Sequence, residues 1–424
     1  MAASRLVVLD GTRCVGVLVR AGGEITFRYD DQWLSTPGAT PLSVSMPLGR
    51  VEHGHDVVHP WLWGLLPDND RVLTRWARTF HTTTKHPMGL LAVVGRDVPG
   101  RFRLVPEKDA ETVTPSGVEW LSDADVEQLL REVRADHTAW LGTRGAAGRW
   151  SLAGAQPKIA LRLDGLRWGR PYGDSATTHI LKPAIQGLDQ HDLNEHLCLQ
   201  AARRVGVLAA RTSVVSVGDQ RAICVERYDR AIRGDDVVRV HQEDLCQALS
   251  VDPTQKYESD NGPSVPAAAA LLTRCIGEPA AHTARERFAE ALALNWLLAG
   301  PDAHAKNYSL LLSQDQVRLA PLYDVASVLP YEDFYAGKFK MAMRIGGQYL
   351  AARVTTDHWR KAAAQLALDA DWLLARVAIL AGQLPDALAT AAADESVTAL
   401  DSALPERLVE LVGDRCAALR ARIG

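Results

Sequence analysis

Gly300-Pro301-Asp302-Ala303-His304-Ala305-Lys306-Asn307 is the stretch on which the reading of this chain turns. The residues before it, 285–299, have helical periodicity, and Gly300 and Pro301 stop that helix. Asp302 and Asn307 then stand at D-x-x-x-x-N spacing, as in a kinase catalytic loop. A carboxylate there can orient an attacking hydroxyl and take its proton. An amide oxygen five residues on can bind a metal that bridges phosphates. Alone the pair is weak, because Asp and Asn favour turns for local hydrogen-bonding reasons. The sequence that follows adds weight. Residues 308–312 predict a strand, Ser313-Gln314-Asp315 a turn and 316–320 a second strand. Asp324 comes next, in Leu322-Tyr323-Asp324-Val325. A hairpin at that place returns the chain, so Asp324 can approach Asn307 as a second metal-binding group.

Upstream, Thr178-His179-Ile180-Leu181-Lys182 is an apolar strand ending on a lysine. Such a lysine can hold nucleotide phosphates or merely snorkel. A helix over 192–204, closed by Gly206, carries Glu195 near its start. Glu195 is placed either to orient Lys182 through an ion pair or to favour the helix dipole. Ser151-Leu152-Ala153-Gly154-Ala155-Gln156-Pro157-Lys158 precedes another strand. Its small residues would let the backbone approach phosphates. It matches neither G-x-x-x-x-G-K-[ST] nor G-x-G-x-x-G, and a plain turn is the commoner meaning. Cys224-Val225-Glu226-Arg227-Tyr228-Asp229-Arg230 stands where strands give way to helices. It reads as a hinge whose backbone can bond adenine beside Tyr228, or as a strand end with solvated charges. His304 either orders the catalytic loop or is structural.

The wider pattern gives these motifs a frame. A chain of 424 residues suggests two or three packed units. Strand-like runs at 5–9, 16–19, 24–29 and 102–105 predict a small mixed domain, with 61–66 as the start of a helix. Residues 107–122 suit a linker or an excursion, 123–134 a helix and 142–148 a glycine-rich loop. Strands are expected at 158–163, 178–181, 212–217 and 222–225. After about residue 240 helices dominate, notably 266–275, 285–299 and several packed together over 357–424. The divisions drawn are 1–110, 111–230 and 231–424.

Composition excludes some classes. The formal net charge is −4, so binding DNA mainly through phosphate contacts is disfavoured. Six scattered cysteines without a C-x-x-C pair read as reduced thiols in the cytoplasm. Residues 1–18 show no signal peptide. The apolar stretch near the C-terminus is broken by Asp369, Asp371 and Arg376, which argues against a membrane span. His53, His55 and His59 invite a metal reading, but no ligand spacing supports one, and surface histidines are expected. Trp61, Trp63 and Trp76 fit core or interface packing.

Taken in order, the motifs resemble the HipA family of toxin kinases over most of the chain. Pro41-Leu42-Ser43-Val44-Ser45-Met46-Pro47-Leu48 after Trp33, Leu65-Leu66-Pro67-Asp68 and Gly95-Arg96-Asp97 look like its N-terminal domain. "SLAGAQPK" from Ser151, "THILKP" from Thr178, "VERYDR" from Val225, "HQEDLCQAL" from His241, "KYESDNGP" from Lys256, "AHAKNYSLLL" from Ala303 and "LAPLYDV" from Leu319 follow in the family's order.

The resemblance implies an α+β fold. It would comprise a β-rich N-lobe, an all-helical C-lobe and an extra small mixed N-terminal domain, on a protein-kinase-like plan. It implies ATP and Mg2+ as cofactors, Asp302 as catalytic base, and Asn307 and Asp324 as metal ligands. Lys182 would contact phosphates. Glu226 and Tyr228 would line the adenine hinge. Ser151, Ala153, Gly154, Ala155, Gln156, Lys158, His304 and Lys306 would complete the nucleotide site. Ser151 would be an inactivating autophosphorylation site. A helix-turn-helix HipB-like antitoxin would be the partner, with DNA reached only through it. Protein serines or threonines, aminoacyl-tRNA synthetases among them, would be the targets, with growth arrest and persistence as the outcome. The chain departs from the family's habit at Pro301 and Ala303 around the catalytic Asp and at Pro157 before Lys158, yet keeps every proposed catalytic group. A small-molecule kinase on the same fold and a non-catalytic corepressor subunit are the rival expectations.

Overall fold

The computed structural model describes residues 4–112, 114–141, 149–185, 187–234, 236–313, 316–331 and 339–423. The glycine-rich stretch 142–148 and turn residues 314–315 read from the sequence lie outside these.

A continuous apolar run in the first strand and an alternating one in the third build the first sheet. β1 (Arg5–Asp10), β2 (Arg13–Ala21), β3 (Glu24–Tyr29), β4 (Glu52–His53) and β5 (Arg103–Pro106) pair antiparallel in the order β4-β3-β2-β1-β5. Between them lie α1 (Asp31–Leu34), α2 (His55–Gly64), α3 (Asp70–Thr79) and α4 (Pro87–Val94). Residues 61–66 are therefore the end of a helix and not its start. The polar first turn of α2, His55 and Asp56, carries no hydrophobic signal, so only its buried C-terminal half was legible. His53 is buried against Phe27 and Tyr29, not on the surface. His55 accepts from the Ile25 amide, and His59 from the Trp63 indole. Trp61 and Trp76 are core residues.

The second sheet takes up β6 (Gly117–Trp120), β7 (Ile159–Asp164), β8 (Arg167–Tyr172), β9 (His179–Pro183), β10 (Thr212–Val217) and β11 (Gln220–Glu226), in the order β10-β11-β9-β7-β8-β6. The stretch expected to be a linker supplies the edge strand β6. α5 (Asp123–Ala135), opened by a Ser122 capping box, and α6 (His191–Arg204) pack against this sheet. Gly206 follows α6 at φ +83°, the left-handed conformation expected of a residue that ends a helix.

Past β11 the chain forms a ribbon of β12 (Arg230–Arg233) and β13 (Asp236–Arg239), then β14 (His241–Asp244) and α7 (Leu245–Ala248). α8 (Val265–Ile276) and α9 (Ala280–Leu298) follow, then β15 (Ser309–Ser313), β16 (Gln316–Leu319), β17 (Lys340–Ile345) and β18 (Gln348–Leu350). α10 (Thr356–Leu366), α11 (Ala370–Ala392), α12 (Glu395–Thr398) and α13 (Leu404–Ile423) close the chain. This lobe is helical in bulk but not throughout. β14, β15 and β16 form a three-stranded sheet under the catalytic loop, because the hairpin after that loop needs a partner strand for its open edge.

Two large hydrophobic clusters, with a small third of Val7, Leu9 and Val105, hold the molecule. One joins α6, α8, α9, α10, α11 and α13. The other is shared by the first sheet, its helices and the second sheet. Trp76 meets Trp140 edge-on, and Trp140 stacks on Trp150, bridging the two sheets' cores. α11 is long and apolar enough to cross a bilayer, despite the charges that argued otherwise. Its buried face, Leu373, Val377, Leu380, Leu384 and Leu388, packs on α13 and α6, and Arg376 pairs with Glu290 at 2.6 Å. All six cysteines are free thiols, four of them buried.

The N-terminal unit docks on β14 and α7. The Val44 amide donates to Glu243 (2.8 Å), Ser45 Oγ to the Gln247 carbonyl (3.3 Å), and Gln247 Nε2 to the Trp61 carbonyl (2.9 Å). His241 Nε2 lies 3.0 Å from the Leu42 carbonyl oxygen. These contacts use His241 and Glu243 of the buried polar run 241–244, in which Gln242 takes the Tyr228 hydroxyl and Asp244 caps α7.

Candidate active site

The break after α9 positions the catalytic loop. Ala299 takes φ +56°, and the Gly300 amide closes the helix on the Asn295 carbonyl (2.8 Å). The loop then folds on itself. The His304 amide donates to the Asp302 carbonyl (2.8 Å), the Asn307 amide to the His304 carbonyl (2.9 Å), and Asn307 Nδ2 to the Asp302 carbonyl (2.7 Å). Anchoring Nδ2 leaves the Asn307 amide oxygen as the free acceptor. Asp302 is exposed at its carboxylate and accepts from the Tyr257 hydroxyl. Partial withdrawal from water in the cleft and the nearby Asp324 raise its pKa, against the Tyr257 hydrogen bond.

β15 and β16 pair with Leu310 opposite Leu319 and return the chain. Asp324 follows at φ +59°, a left-handed conformation that Asp tolerates better than most residues. Its carboxylate meets Lys182 Nζ at 2.7 Å, and the same ammonium meets Glu195 at 2.8 Å. Lys182 comes from β9 and Glu195 from α6, so the pair spans two elements of the second sheet's lobe. Burial opposes charge on Lys182, but Asp324 and Glu195 together push its pKa above the ordinary lysine value. Lys182 and Lys158 likewise hold Asp324 well below the usual carboxylate range, against its burial. Of the two meanings left open for Glu195, the ion pair is the one formed.

The small-residue loop lies across the same cleft. Gly154 takes φ +99°, a conformation that favours glycine, and a Cβ there would displace Lys158 Nζ. Lys158 Nζ donates to the Ala153 carbonyl (2.6 Å) and sits 5.1 Å from the centre of the Trp140 ring. Burial and the nearby Lys182 lower its pKa to about 8.

Asp302, Asn307, Asp324, Lys182, His304 and Lys306 meet Ala153, Gly154, Ala155, Gln156, Lys158, Glu226 and Tyr228 around one cavity of about 730 Å³. Ser151 is the exception among the expected residues. It is fully buried behind the loop, its Oγ donating to the Leu65 carbonyl (2.7 Å). Glu226 is exposed, and its amide is taken up by the Arg211 carbonyl (3.0 Å). Tyr228 donates to Gln242 (2.8 Å) and leans on Tyr323. His304 is buried beside Tyr257, and burial pushes its pKa down to about 3, so it is neutral.

Among the described residues, no three His, Cys, Asp or Glu side chains gather into a metal site of their own. Asp302, Asp324 and Asn307 bring two of the cleft's carboxylates and one amide oxygen. All are hard oxygen donors, and they fit a small divalent cation that takes its other ligands from phosphates and water.

Sequence reasoning missed Asp68, Lys256, Tyr257 and Asp244, all on the cavity wall. Asp244 caps α7 and has its pKa raised to about 6 by burial. One signal was available: the chain has only nine lysines, and Lys158, Lys182, Lys256 and Lys306 all line this cleft.

Residues 150–398 match the HipA-like C-terminal domain family, and residues 6–105 the HipA N-terminal domain family. The putative kinase Y4mE of Sinorhizobium fredii is 33% identical over 404 residues, which are 95% of this chain and 94% of that protein. The serine/threonine-protein kinase toxin HipA of Shewanella oneidensis is 27% identical over 375 residues, 85% of this chain and 82% of its own. A chain from the Shewanella oneidensis complex of HipA, HipB and operator DNA superposes with a TM-score of 0.84 at 24% identity, covering 99% of this chain and 98% of its own. That likeness establishes a kinase-like fold, α+β with a β-rich lobe, a mainly helical lobe and the added N-terminal unit.

Proposed function

Because this chain belongs to the HipA family, a family of kinases, we propose that it is a toxin kinase moving the ATP γ-phosphate to a serine or threonine of a cellular protein. One observation carries the reading. Asp302, Asn307 and Asp324 share a cleft with Lys182 from the opposite lobe, which Glu195 holds from behind.

In this reading Asp302 accepts the proton of the attacking hydroxyl. Asn307 and Asp324 would hold Mg2+, which when bound neutralises charge developing on the phosphates. Lys182, oriented by Glu195, holds the phosphate oxygens and leaves Asp324 for the cation. The backbone of Ala153, Gly154, Ala155 and Gln156, with Lys158, covers the phosphates. The Glu226 carbonyl and the Tyr228 backbone face the adenine edge. His304, neutral, and Lys306 keep the catalytic loop in register. Catalysis is then mostly positioning and charge neutralisation.

Ser151 serves as the inactivating autophosphorylation site. Its buried hydroxyl has no room for a group of about −1.5 to −2 charges, so the modified loop would have to leave its place. The chain works in the cytoplasm, divided at 1–110, 111–230 and 231–424. A helix-turn-helix antitoxin restrains it and supplies the contact to DNA.

The test is Asp302→Asn with radiolabelled ATP. Transfer to protein is expected to fall on the order of 10²- to 10⁴-fold, the reach of a general base, with antitoxin binding intact. Label found only in metabolites would mean a small-molecule kinase, and an Asp302→Asn chain that still arrests growth would mean a non-catalytic role.

A further inference from the structure

We propose that Asp68, on the turn after α2, is a positioning residue that the N-terminal unit lends to the active site, fixing the phosphate loop against the catalytic loop. The proposal rests on the kinase reading above and extends it to a part of the chain outside both lobes.

The turn Leu65-Leu66-Pro67-Asp68 touches both loops at once. Toward the phosphate loop, the Leu65 carbonyl accepts from Ser151 Oγ (2.7 Å), and the Asp68 amide donates to the Gly154 carbonyl (3.0 Å). Toward the catalytic loop, the two carboxylate oxygens of Asp68 part company. Oδ1 takes Lys306 Nζ at 2.8 Å, and Oδ2 takes Lys256 Nζ at 3.1 Å.

Each lysine leads onward to the chemistry. Lys306 sits next to Asn307, and its carbonyl accepts from Tyr323 (2.6 Å), the residue before Asp324. The Lys256 carbonyl accepts from the Ala305 amide (3.2 Å), and the neighbouring Tyr257 hydroxyl donates to Asp302. Asp68 therefore reaches Asp302, Asn307 and Asp324 through one lysine and its neighbour in each case. Its side chain is only 12% exposed and that of Lys306 2%. A buried ion cluster gives little net stability, because desolvation offsets the attraction. What it supplies is a fixed geometry, since one carboxylate holds both lysines and the buried Lys306 would otherwise face the more distant Asp244, at 3.9 Å.

The experiment is Asp68→Asn in the full-length chain, which keeps shape and backbone and removes the charge. We expect kcat for phosphotransfer to fall at least tenfold while the KM for ATP changes less than threefold. Hydrogen exchange should quicken in both 151–158 and 300–307. Asp68→Asn combined with Lys306→Gln should be no worse than the poorer single variant, because the two act as one unit. A merely structural Asp68 would lower melting temperature and leave kcat of the folded fraction unchanged. That result, in a preparation where Asp302→Asn is inactive, overturns the proposal and spares the kinase reading. If the unaltered chain transfers no phosphate, the kinase reading fails, and exchange alone decides: unchanged rates in both loops reject the role of Asp68. Should Asp68→Asn fail to fold, Asp68→Glu, which keeps the charge but displaces it, is read by the same two measurements, and unchanged values again overturn it.

Discussion

The catalytic loop and the phosphate loop face each other across one cleft but are held in opposite ways. Residues 302–307 are bonded to one another: Asp302, His304 and Asn307 close a turn within a few residues. Residues 151–158 lean on the N-terminal unit instead, through Leu65, Asp68 and the Asp97 carbonyl that receives the Ser151 amide (2.9 Å). A loop closed largely on itself depends less on its neighbours, and its outside ties include the Lys306 side chain and the Lys256 carbonyl. A loop held from outside keeps its form only while its neighbour stays docked. The first suits fixed chemistry and the second suits control.

Three changes would break or sharpen that contrast. The largest effect should come from Asn307→Ala, which removes both the internal tie and the oxygen proposed above to hold the cation. Phosphotransfer is expected to drop on the order of 10²-fold or more, the scale of losing one positioned active-site group. The Mg2+ concentration for half-maximal rate should rise, and steady-state kinetics across a magnesium series measures both. Next is Gly64→Ala. A methyl there would run into the Gln247 side chain, where α2 meets α7. Overpacking of this kind costs about 1–3 kcal/mol. Exchange should quicken more in 151–158 than in 302–307. Equal loosening of both loops would erase the contrast.

The smallest effect concerns pH. Burial raises the Glu243 carboxyl to about 8. The folded protein thus holds a proton that the unfolded chain releases near the ordinary glutamate value. The stability tied to it is complete below that value and is lost as pH rises toward and through 8. Glu243→Gln should flatten the fall in melting temperature between pH 5 and 8.5, seen by thermal scans at matched ionic strength. A parallel decline in both proteins would show that this carboxyl does not control docking.

What the sequence made legible follows the same division. Asp302, Asn307 and Asp324 were readable because a helix stop and a hairpin fix their places over a short span. Lys182 was readable as the end of an apolar strand. Lobe order followed from periodicity. Ser151 was assigned to the nucleotide, yet its hydroxyl faces Leu65, because a loop's outward side depends on what packs behind it. Asp68 stood out only as part of a motif. Its partners Lys256 and Lys306 lie 188 and 238 residues away, beyond any local pattern. The strand β6 hid in a polar stretch because edge strands need little apolar surface.

The docking of the N-terminal unit also sets a timetable for biosynthesis. The Val44 amide, the Leu42 and Trp61 carbonyls and Ser45 Oγ find their partners 186 to 202 residues further on. While the ribosome is still translating the middle of the chain, those groups have only water or a chaperone to bond. A nascent chain stalled before residue 241 would therefore carry a sheet already folded but with its docking face bare. The kinase cleft could not assemble until that face had been covered.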